Sequence, residues 1–561
     1  MQPFDVVVAG KGNAALCAAL AARDGGARVA MLEAAPVDES GGNSRFAGGV
    51  MRFAYNSVEE LQRLSEIPEE EARNAGWESN TVEQFYDDLY HVTSYRTDPA
   101  LSEILITRSL DAMVWLRSQG VRFSPNYRHQ SAVVNGKRRF FGRMPMWITG
   151  GGPGLVQDLT DTAAGKGIEI FYETRAVSLI YDGERVSGVR AKQRGKPAEF
   201  RARSVVLACG GFEANPEWRA RYLGPGWELA KVRGTRFNMG DGLKMALDIG
   251  ACPYGNWSGR HAVSWERYAP EFGDLNLPES SYRHSYPMSI MINADGKRFV
   301  DEGVEFYNYT YAKYGGEVLK QPAQFAYQVF DAKVKHLLRL EYGDKRVTRI
   351  VANTLEELAA KLEGVNPEGF LNTVRAFNAA VRIDIPFDHS IKDGRCTVGI
   401  EPPKSNWANP LDTPPFEAYA VTCGITFTFG GLRVEPQSGQ VLDLNLQPIP
   451  GLYTAGEMLG GLSTSTTRPA RGSFPAQCSA GSPARPPHPR RKCGMRNDEC
   501  GKAHRPALLV FRSSFIIHHC ASGTEKRTCL PRRWHGSSLK PGLPTCRKRL
   551  SSPRGTRWSI R

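Results

Sequence analysis

Three small residues near the start of the chain, Gly10, Gly12 and Ala15, have the spacing that a bound pyrophosphate demands of backbone. Gly10 permits a tight turn, and Gly12 lets the main chain approach phosphate closely. Ala15, in the third glycine place, is small enough for a helix to sit against a sheet. Asn13 and Ala14 open that helix, whose first N–H groups and positive dipole end favour phosphate oxygens. Glu33 can accept hydrogen bonds from a ribose. The elements needed to hold these residues are readable around them. Val6–Val8 is a short apolar run with strand character, Asn13–Arg23 reads as a helix, and Arg28–Leu32 is a second strand ending at Glu33. A glycine turn also occurs in ordinary α/β crossovers. The strand–loop–helix–strand context with a terminal acid points to a dinucleotide.

The choice between FAD and NAD depends on later blocks. Gly41-Gly42-Asn43-Ser44 lies just past Glu33, followed by Gly48-Gly49. Val205–Leu207 runs through Ala208-Cys209 into the turn Gly210-Gly211-Phe212-Glu213. Asn238-Met239-Gly240-Asp241-Gly242 precedes a helix rich in Ala, Leu and Met, and Gly451–Ala455 leads to Gly456-Glu457. In this order the blocks resemble the flavoproteins of the fumarate reductase and succinate dehydrogenase family, together with 3-ketosteroid and tricarballylate dehydrogenases. The segments GNAALCAA, GGNSRF, RGTRFN, RFVDEG and NPLDTPPF look most like the tricarballylate dehydrogenase branch. The likeness covers roughly Phe4 to Leu462 and implies FAD. It implies cofactor contacts at Gly10, Gly12, Asn13, Ala14, Ala15, Glu33, Gly42, Asn43, Ser44, Gly49, Gly210, Gly211, Asp241, Gly456 and Glu457, with the backbone of Val177 against adenine. Asn43 stands near the place of the flavin-linked histidine of succinate dehydrogenases, so FAD is expected to be non-covalent.

A flavin dehydrogenase acting beside a carboxylate needs cationic donors for the acid and for enolate-like charge. It also needs an acid or base for the second proton, while the cofactor carries the redox chemistry. His261 occupies the place of a substrate-binding histidine of the fumarate reductases, although GRHAVS departs from their HPT pattern. Arg283 and His284 flank a strand entering the middle region, and an arginine can hold a carboxylate through two parallel N–H bonds. The proton-donating arginine of fumarate reductases falls here on Phe306, and one of their histidines on Phe427. Both departures argue against a true fumarate reductase. Tyr307 and Tyr309 are then acid/base candidates, as in ketosteroid dehydrogenases, with packed aromatics as the plain alternative. Arg143 and Arg236 could touch anions, and Arg298 reads as structural. The implied reaction is FAD-dependent dehydrogenation of a C–C bond next to a carboxylate, of the tricarballylate to cis-aconitate type. The alternatives are an enone-forming, ketosteroid-type enzyme or an inactive, truncated flavoprotein. The electron acceptor is left unspecified.

The expected fold class is α/β. A Rossmann-like FAD-binding domain (1–260, returning at 398–462) carries an inserted α+β capping domain (261–397). Helices are expected at Thr81–His91, Ala100–Gln119, Leu155–Ala164, Leu355–Leu362 and Phe370–Val381. A glycine loop is expected at Gly150–Gly154. Strands are expected at Tyr286–Asn293 and, across an Asp295-Gly296 turn, at Arg298–Val300.

The last 99 residues differ from the rest. The whole chain has 561 residues and a formal charge of +14, yet residues 463–561 hold 21 Lys and Arg against 3 Asp and Glu. The remainder is mildly acidic, so the charge gives no reason to expect nucleic-acid binding by the body. Residues 463–561 also hold six of the 11 cysteines, none at metal-site spacing, and show no sustained periodicity. A basic disordered arm, a disulfide module and a wrong reading frame compete as explanations. The third is testable on paper: one inserted base lets Ser463–Arg468 read Phe-Tyr-Phe-Asn-Tyr-Pro. A glycine-rich stretch and Val-Phe-Gly-Arg-Ile-Ala then follow, as in the resembled flavoproteins. A frame error at about Leu462 and a disordered, non-native tail are therefore expected. No metal site, secretory signal or transmembrane segment is read. Five scattered body cysteines suit a reducing cytoplasm.

Overall fold

A computed structural model describes residues 3–463, apart from 128–130, 135, 141 and 277–280. The chain divides into two units, Met1–Ser522 and Gly523–Arg561, and every described residue lies in the first. The tail expected at 463–561 lies outside the described residues, save for the buried Ser463.

The opening unit forms where the apolar runs and glycine spacing place it, as β1 (Phe4–Ala9), α1 (Asn13–Asp24) and β2 (Val29–Leu32). Further along come α2 (Gly151–Gly165), β3 (Lys196–Leu207), β4 (Pro253–Glu266), α3 (Tyr307–Leu319), β5 (Phe416–Leu432) and β6 (Pro448–Thr454). The first sheet runs in the order Gln440–Leu442, β6, β3, β1, β2, Glu169–Phe171, and from β6 onward the strands are parallel. Its central stretches, Val6–Ala9 of β1, Val29–Leu32 of β2 and Val205–Leu207 of β3, are apolar because both faces are covered there. Ala15, Leu16 and Leu20 of α1 pack with Leu155 and Leu159 of α2 on one face, and Val189, Phe200, Leu243 and Met245 fill the other. Val7 pairs with Val205 and Ala30, and Ala9 with Leu207 and Leu32. The C-terminal ends of β1, β2 and β3 therefore open at one edge, where open α/β sheets bind ligands.

A second sheet is built around β5, 17 residues long. β4, Ala326–Phe330 and Arg349–Ala352 flank it antiparallel, and Lys231–Val232 parallel. The boundary expected at 260/261 falls inside β4, and Glu417–Val421, from the expected return segment, pairs with Ala326–Phe330. The second sheet thus draws strands from both sides of the expected insertion.

Three local expectations need correction. The helix expected over Ala100–Gln119 is two helices, Pro99–Thr107 and Ser109–Ser118. The Ser109 hydroxyl donates to the Ile106 carbonyl at 2.7 Å and accepts the Ala54 N–H at 2.8 Å, competing with helical backbone bonds at the break. The glycines at 151–154 are not a loop but the first turn of α2, entered through Gly150 and Gly151 with φ of +82° and +64°. The strand expected at Tyr286–Asn293 shrinks to Ile290–Ile292 behind a 3-10 turn, and its return is a single bridge, Ile292 to Arg298.

Arg298 is structural, as expected. Its Nε and Nη2 reach Glu302 at 3.1 and 2.5 Å, and Nη1 donates to the Pro402 carbonyl at 2.6 Å. Glu302 is fully buried and also accepts the Met291 N–H at 2.8 Å. Removing one charge from such a buried pair strands the other. Glu302→Gln is expected to cost about 3–5 kcal/mol, read as a lower denaturation midpoint with unchanged flavin content in the folded fraction.

Candidate functional site

The cleft at the edge of the first sheet encloses about 760 Å³, open mouth included, and its walls carry most of the residues picked out for a dinucleotide. Gly10 has φ +110°, and a Cβ there would stand 2.3 Å from the Ala208 carbonyl oxygen, so only glycine fits. Gly12 has an ordinary φ of −70° and is not strained; its missing side chain keeps the floor open. Asn13 and Ala14 line the cleft at the start of α1, where the Asn13 N–H donates to Ser44 Oγ at 2.9 Å. Ala15 is fully buried against the sheet. Glu33 ends β2 inside the cleft and accepts the Ala35 N–H at 2.8 Å. Burial pushes its carboxyl up, opposed by that bond and by Lys11. Asp241 faces the cleft while holding Arg175 through two bonds of 2.8 Å.

Gly42, Asn43, Ser44, Gly210 and Glu457 also line the cleft. Gly49 lies behind it, close enough to Gly151 that a Cβ would meet its Cα at 2.5 Å. Gly456 packs on Ala14. The Val177 side chain is exposed; Thr174, Arg175 and Ala176 of the same strand line the cleft. The residues present therefore fit an extended diphosphate-bridged cofactor: a side-chain-free floor, a helix start and an acid at the end of β2.

Beneath the turn at Gly211 sit two buried carboxyls. A Cβ there would lie 2.3 Å from Glu457 Oε1 and 2.8 Å from Glu213 Oε2. Glu213 Oε1 accepts the side-chain amides of Asn43 and Asn238 at 2.7 and 2.5 Å, and Glu457 Oε1 accepts the Thr428 N–H at 2.8 Å. Burial, then the like charge of Glu457, holds the Glu213 carboxyl well above the ordinary range. Two buried carboxyls held this close favour the neutral form of Glu213 over the ionised one.

On the far side of β5 lies a cluster of rings. His261 of β4 stacks on Phe427 with centroids 4.7 Å apart and meets Tyr311 edge-on at 5.0 Å. His284 meets Tyr311 edge-on at 5.0 Å and stacks with Tyr282 at 4.7 Å and Tyr307 at 5.8 Å. Arg339 Nη1 donates to the Tyr307 hydroxyl at 2.8 Å. His261, His284 and Tyr307 are thereby brought together around Tyr311. Arg283 is not part of this group. Its buried guanidinium donates to Glu266 Oε2 at 2.8 Å and to the Tyr282 carbonyl at 2.7 Å, so the carboxylate it pairs with is internal. Tyr309 is also elsewhere, edge-on to His91 at 5.4 Å, with its hydroxyl pushed up to about 12 by burial and then Asp88. Tyr307 and Tyr311 are four apart and share a face of α3, which Tyr309 does not.

β5 joins cleft and cluster. The Thr426 carbonyl accepts from Asn43 at 2.9 Å and the Thr428 N–H donates to Glu457, while Phe427 between them stacks on His261. Sequence reasoning did not pick out Tyr282 and preferred Tyr307 and Tyr309 to Tyr311, although Tyr282 and Tyr311 both pack on His284. Only the Tyr307–Tyr311 spacing carried a signal. Among the described residues no group of His, Cys, Asp and Glu could hold a metal, and no helix is long and apolar enough to cross a membrane.

Residues 5–472 match a family described as FAD binding domain. A fumarate reductase (cytochrome) of Shewanella frigidimarina is 29% identical over 462 residues, covering 82% of this chain and 72% of the relative. A 3-oxosteroid 1-dehydrogenase of Mycobacterium tuberculosis is 26% identical over 540 residues, covering 82% and 93%. Among solved structures, the open conformation of a flavocytochrome c3 fumarate reductase is similar with a TM-score of 0.62 and 27% identity, over 82% of this chain and 74% of that one.

Two outcomes follow from this geometry. Gly10→Ala should yield a colourless protein with unchanged far-UV circular dichroism; a variant that keeps its flavin would remove Gly10 from the site. A carboxyl raised on folding stabilises below its unfolded pKa, and that contribution is lost as pH rises through the folded value. Thermal stability should therefore decline as pH climbs through the raised Glu213 value. Glu213→Gln, which keeps an acceptor for Asn43 and Asn238, should flatten that part of the melting-temperature profile.

Proposed function

The chain belongs to the FAD-binding family that holds the fumarate reductase and succinate dehydrogenase flavoproteins, and on that premise we propose that it dehydrogenates a C–C bond next to a carboxylate. Tricarballylate to cis-aconitate is the reaction type favoured. The protein is an FAD-dependent oxidoreductase acting on C–C bonds. The observation that carries the finer reading is β5, which sets the His261–Tyr311–His284 cluster directly behind residues bonded to the cofactor cleft.

Bound FAD supplies the two-electron chemistry. Gly10, Gly12 and the start of α1 would hold its diphosphate, Glu33 would take ribose hydroxyls, and Asn43, Gly211 and Glu457 would stand nearer its redox-active end. Asn43 donates to Glu213 and Thr426 and accepts from Thr235, so it orients the wall without a covalent link. His261 and Tyr311 handle the proton lost from the substrate, and Tyr307, held by Arg339, supports His284. Residues 261–397 act as the roof over this site. The five described cysteines are thiols, which suits a cytoplasmic location. The basic stretch past Leu462 is read as out of frame, and cDNA sequence across that codon tests it.

A second reading, desaturation of a cyclic ketone to an enone, draws on one observation. The cluster of Tyr282, Tyr307, Tyr311 and Phe427 around the two histidines is aromatic, which suits a flat polycyclic substrate.

Anaerobic mixing of the flavin-loaded protein with tricarboxylates and steroids separates the two. Bleaching by tricarballylate is expected, and bleaching by steroids alone would reverse the order. His261→Ala should lower kcat by about 100-fold while flavin content stays the same; unchanged turnover would exclude His261.

A further inference from the structure

The turn between β1 and α1 takes its shape from Gly10 and its open floor from Gly12, and neither role calls for the lysine that stands between them. Lys11 is nonetheless only 4% exposed, and it lines the cofactor cleft. Its ammonium donates to Thr160 Oγ1 of α2 at 3.0 Å, and the Thr160 hydroxyl donates onward to the Val156 carbonyl at 2.6 Å. The same ammonium lies 5.7 Å from the centroid of Tyr172, just past the strand Glu169–Phe171 that pairs with β2. An ammonium has three protons to donate. Among the described residues this one makes a single hydrogen bond and no ion pair. A buried cation so placed is costly unless an opposite charge answers it.

The charges around the cleft show what could answer it. Lys11 and Arg175 are its basic lining residues, against Glu33, Asp241 and Glu457. Arg175 is committed, since its two bonds of 2.8 Å go to Asp241. Lys11 is therefore the lining cation that no carboxylate bonds among the described residues. Its charge reaches Glu33 all the same. Burial pulls the Lys11 pKa down, opposed by Glu33 and Asp161 and helped by Arg45. Burial pushes the Glu33 carboxyl up, and Lys11 is among the groups that hold it down. The Glu33 N–H donates to the Phe171 carbonyl at 2.9 Å, one residue before Tyr172, so acid, ring and ammonium gather at one end of the cleft. A diphosphate-bridged cofactor brings a dianion into this acid-lined space. The start of α1 meets part of that charge, and Lys11 stands in the same turn.

We infer that Lys11 binds the adenosine diphosphate half of the cofactor, its ammonium supplying the charge that lets Glu33 and the dianionic bridge occupy one cleft. The inference concerns cofactor affinity, so it stands whichever C–C bond the enzyme acts on.

The test uses the full chain, flavin-loaded and after flavin removal, with free FAD separated by ultrafiltration and read by absorbance. Lys11→Met and Lys11→Gln should each raise the FAD Kd by about 10-fold or more, with far-UV circular dichroism unchanged. Both should also make FAD binding less sensitive to salt than it is in wild type. Glu33→Gln should cost less affinity in the Lys11→Met background than alone, because the two charges act on each other. A Lys11 variant that binds FAD as wild type does at every salt concentration overturns the inference, and so do Lys11 and Glu33 losses that simply multiply. Wild-type protein gives a measurement that needs no variant. Acetylation by a soluble N-hydroxysuccinimide ester, read by mass spectrometry, should reach Lys11 after flavin removal and be blocked in the loaded protein. Lys166, which pairs with Asp24 away from the cleft, should react alike in both states. Lys11 that is modified alike in both states overturns the inference.

Discussion

Main-chain N–H and C=O groups of a strand lie in the plane of its sheet while the side chains stand off it, and between Thr426 and Thr428 this geometry couples the cofactor cleft to the ring cluster. The main chain on either side of Phe427 bonds Asn43 and Glu457 in the cofactor cleft, while the Phe427 ring supports His261. A one-residue slip of β5 against β4 would turn the Phe427 ring to the other face and away from His261. The strand's length and its flanking partners hold the register. Val421, for instance, pairs with Glu266 on one side and Ala326 on the other. The irregular pairing between Asn256 and Arg260, and again between His261 and Ala262, bends β4 beside the residue whose ring must face Phe427. Such irregularities re-aim side chains next to functional sites.

Electrostatics follow the same division. The cofactor side concentrates acids, with Glu33, Asp241 and the Glu213–Glu457 pair. The ring cluster beyond β5 holds Arg233 and Arg339, the latter paired with Glu341, beside two histidines and several tyrosines. β5 stands between the two environments, and Asn43 is the residue that touches both. One of its amide atoms faces the acids, and the other is held by the backbone next to Arg233.

The nucleotide-binding half was legible because its chemistry is local. Gly10, Gly12 and Ala15 are specified by a turn, an approach and a helix–sheet contact within a few residues, so their spacing alone carries the meaning. The strands β1 and β2 were legible as continuous apolar runs. The substrate half was less legible because its residues meet only after long crossovers. Arg283 stands between Tyr282 and His284 in sequence, and nothing local tells that its charge finds an internal carboxylate. Glu266 decides it, from 17 residues away. Tyr309 and Tyr311 are two apart in one run, and the facing of α3 alone sends one toward Asp88 and the other toward His261. The glycines at 151–154 read as a loop by composition; tertiary contact made them a helix.

That last contact has a mechanical consequence. A Cβ on Gly152 would lie 2.2 Å from the Ser44 carbonyl oxygen, and its N–H donates to Ala47 at 2.8 Å. Helix and loop therefore touch backbone to backbone, and residues 44–47 cannot shift unless α2 shifts with them. The cavity beside the cofactor cleft, which Arg45–Ala47 line, thus has one rigid jaw. The opposing rim, Ala269–Leu275, lies outside both sheets and is tied back at its middle, where the Glu271 carbonyl accepts the Val232 N–H and the Gly273 N–H donates to the Gly234 carbonyl, each at 2.8 Å.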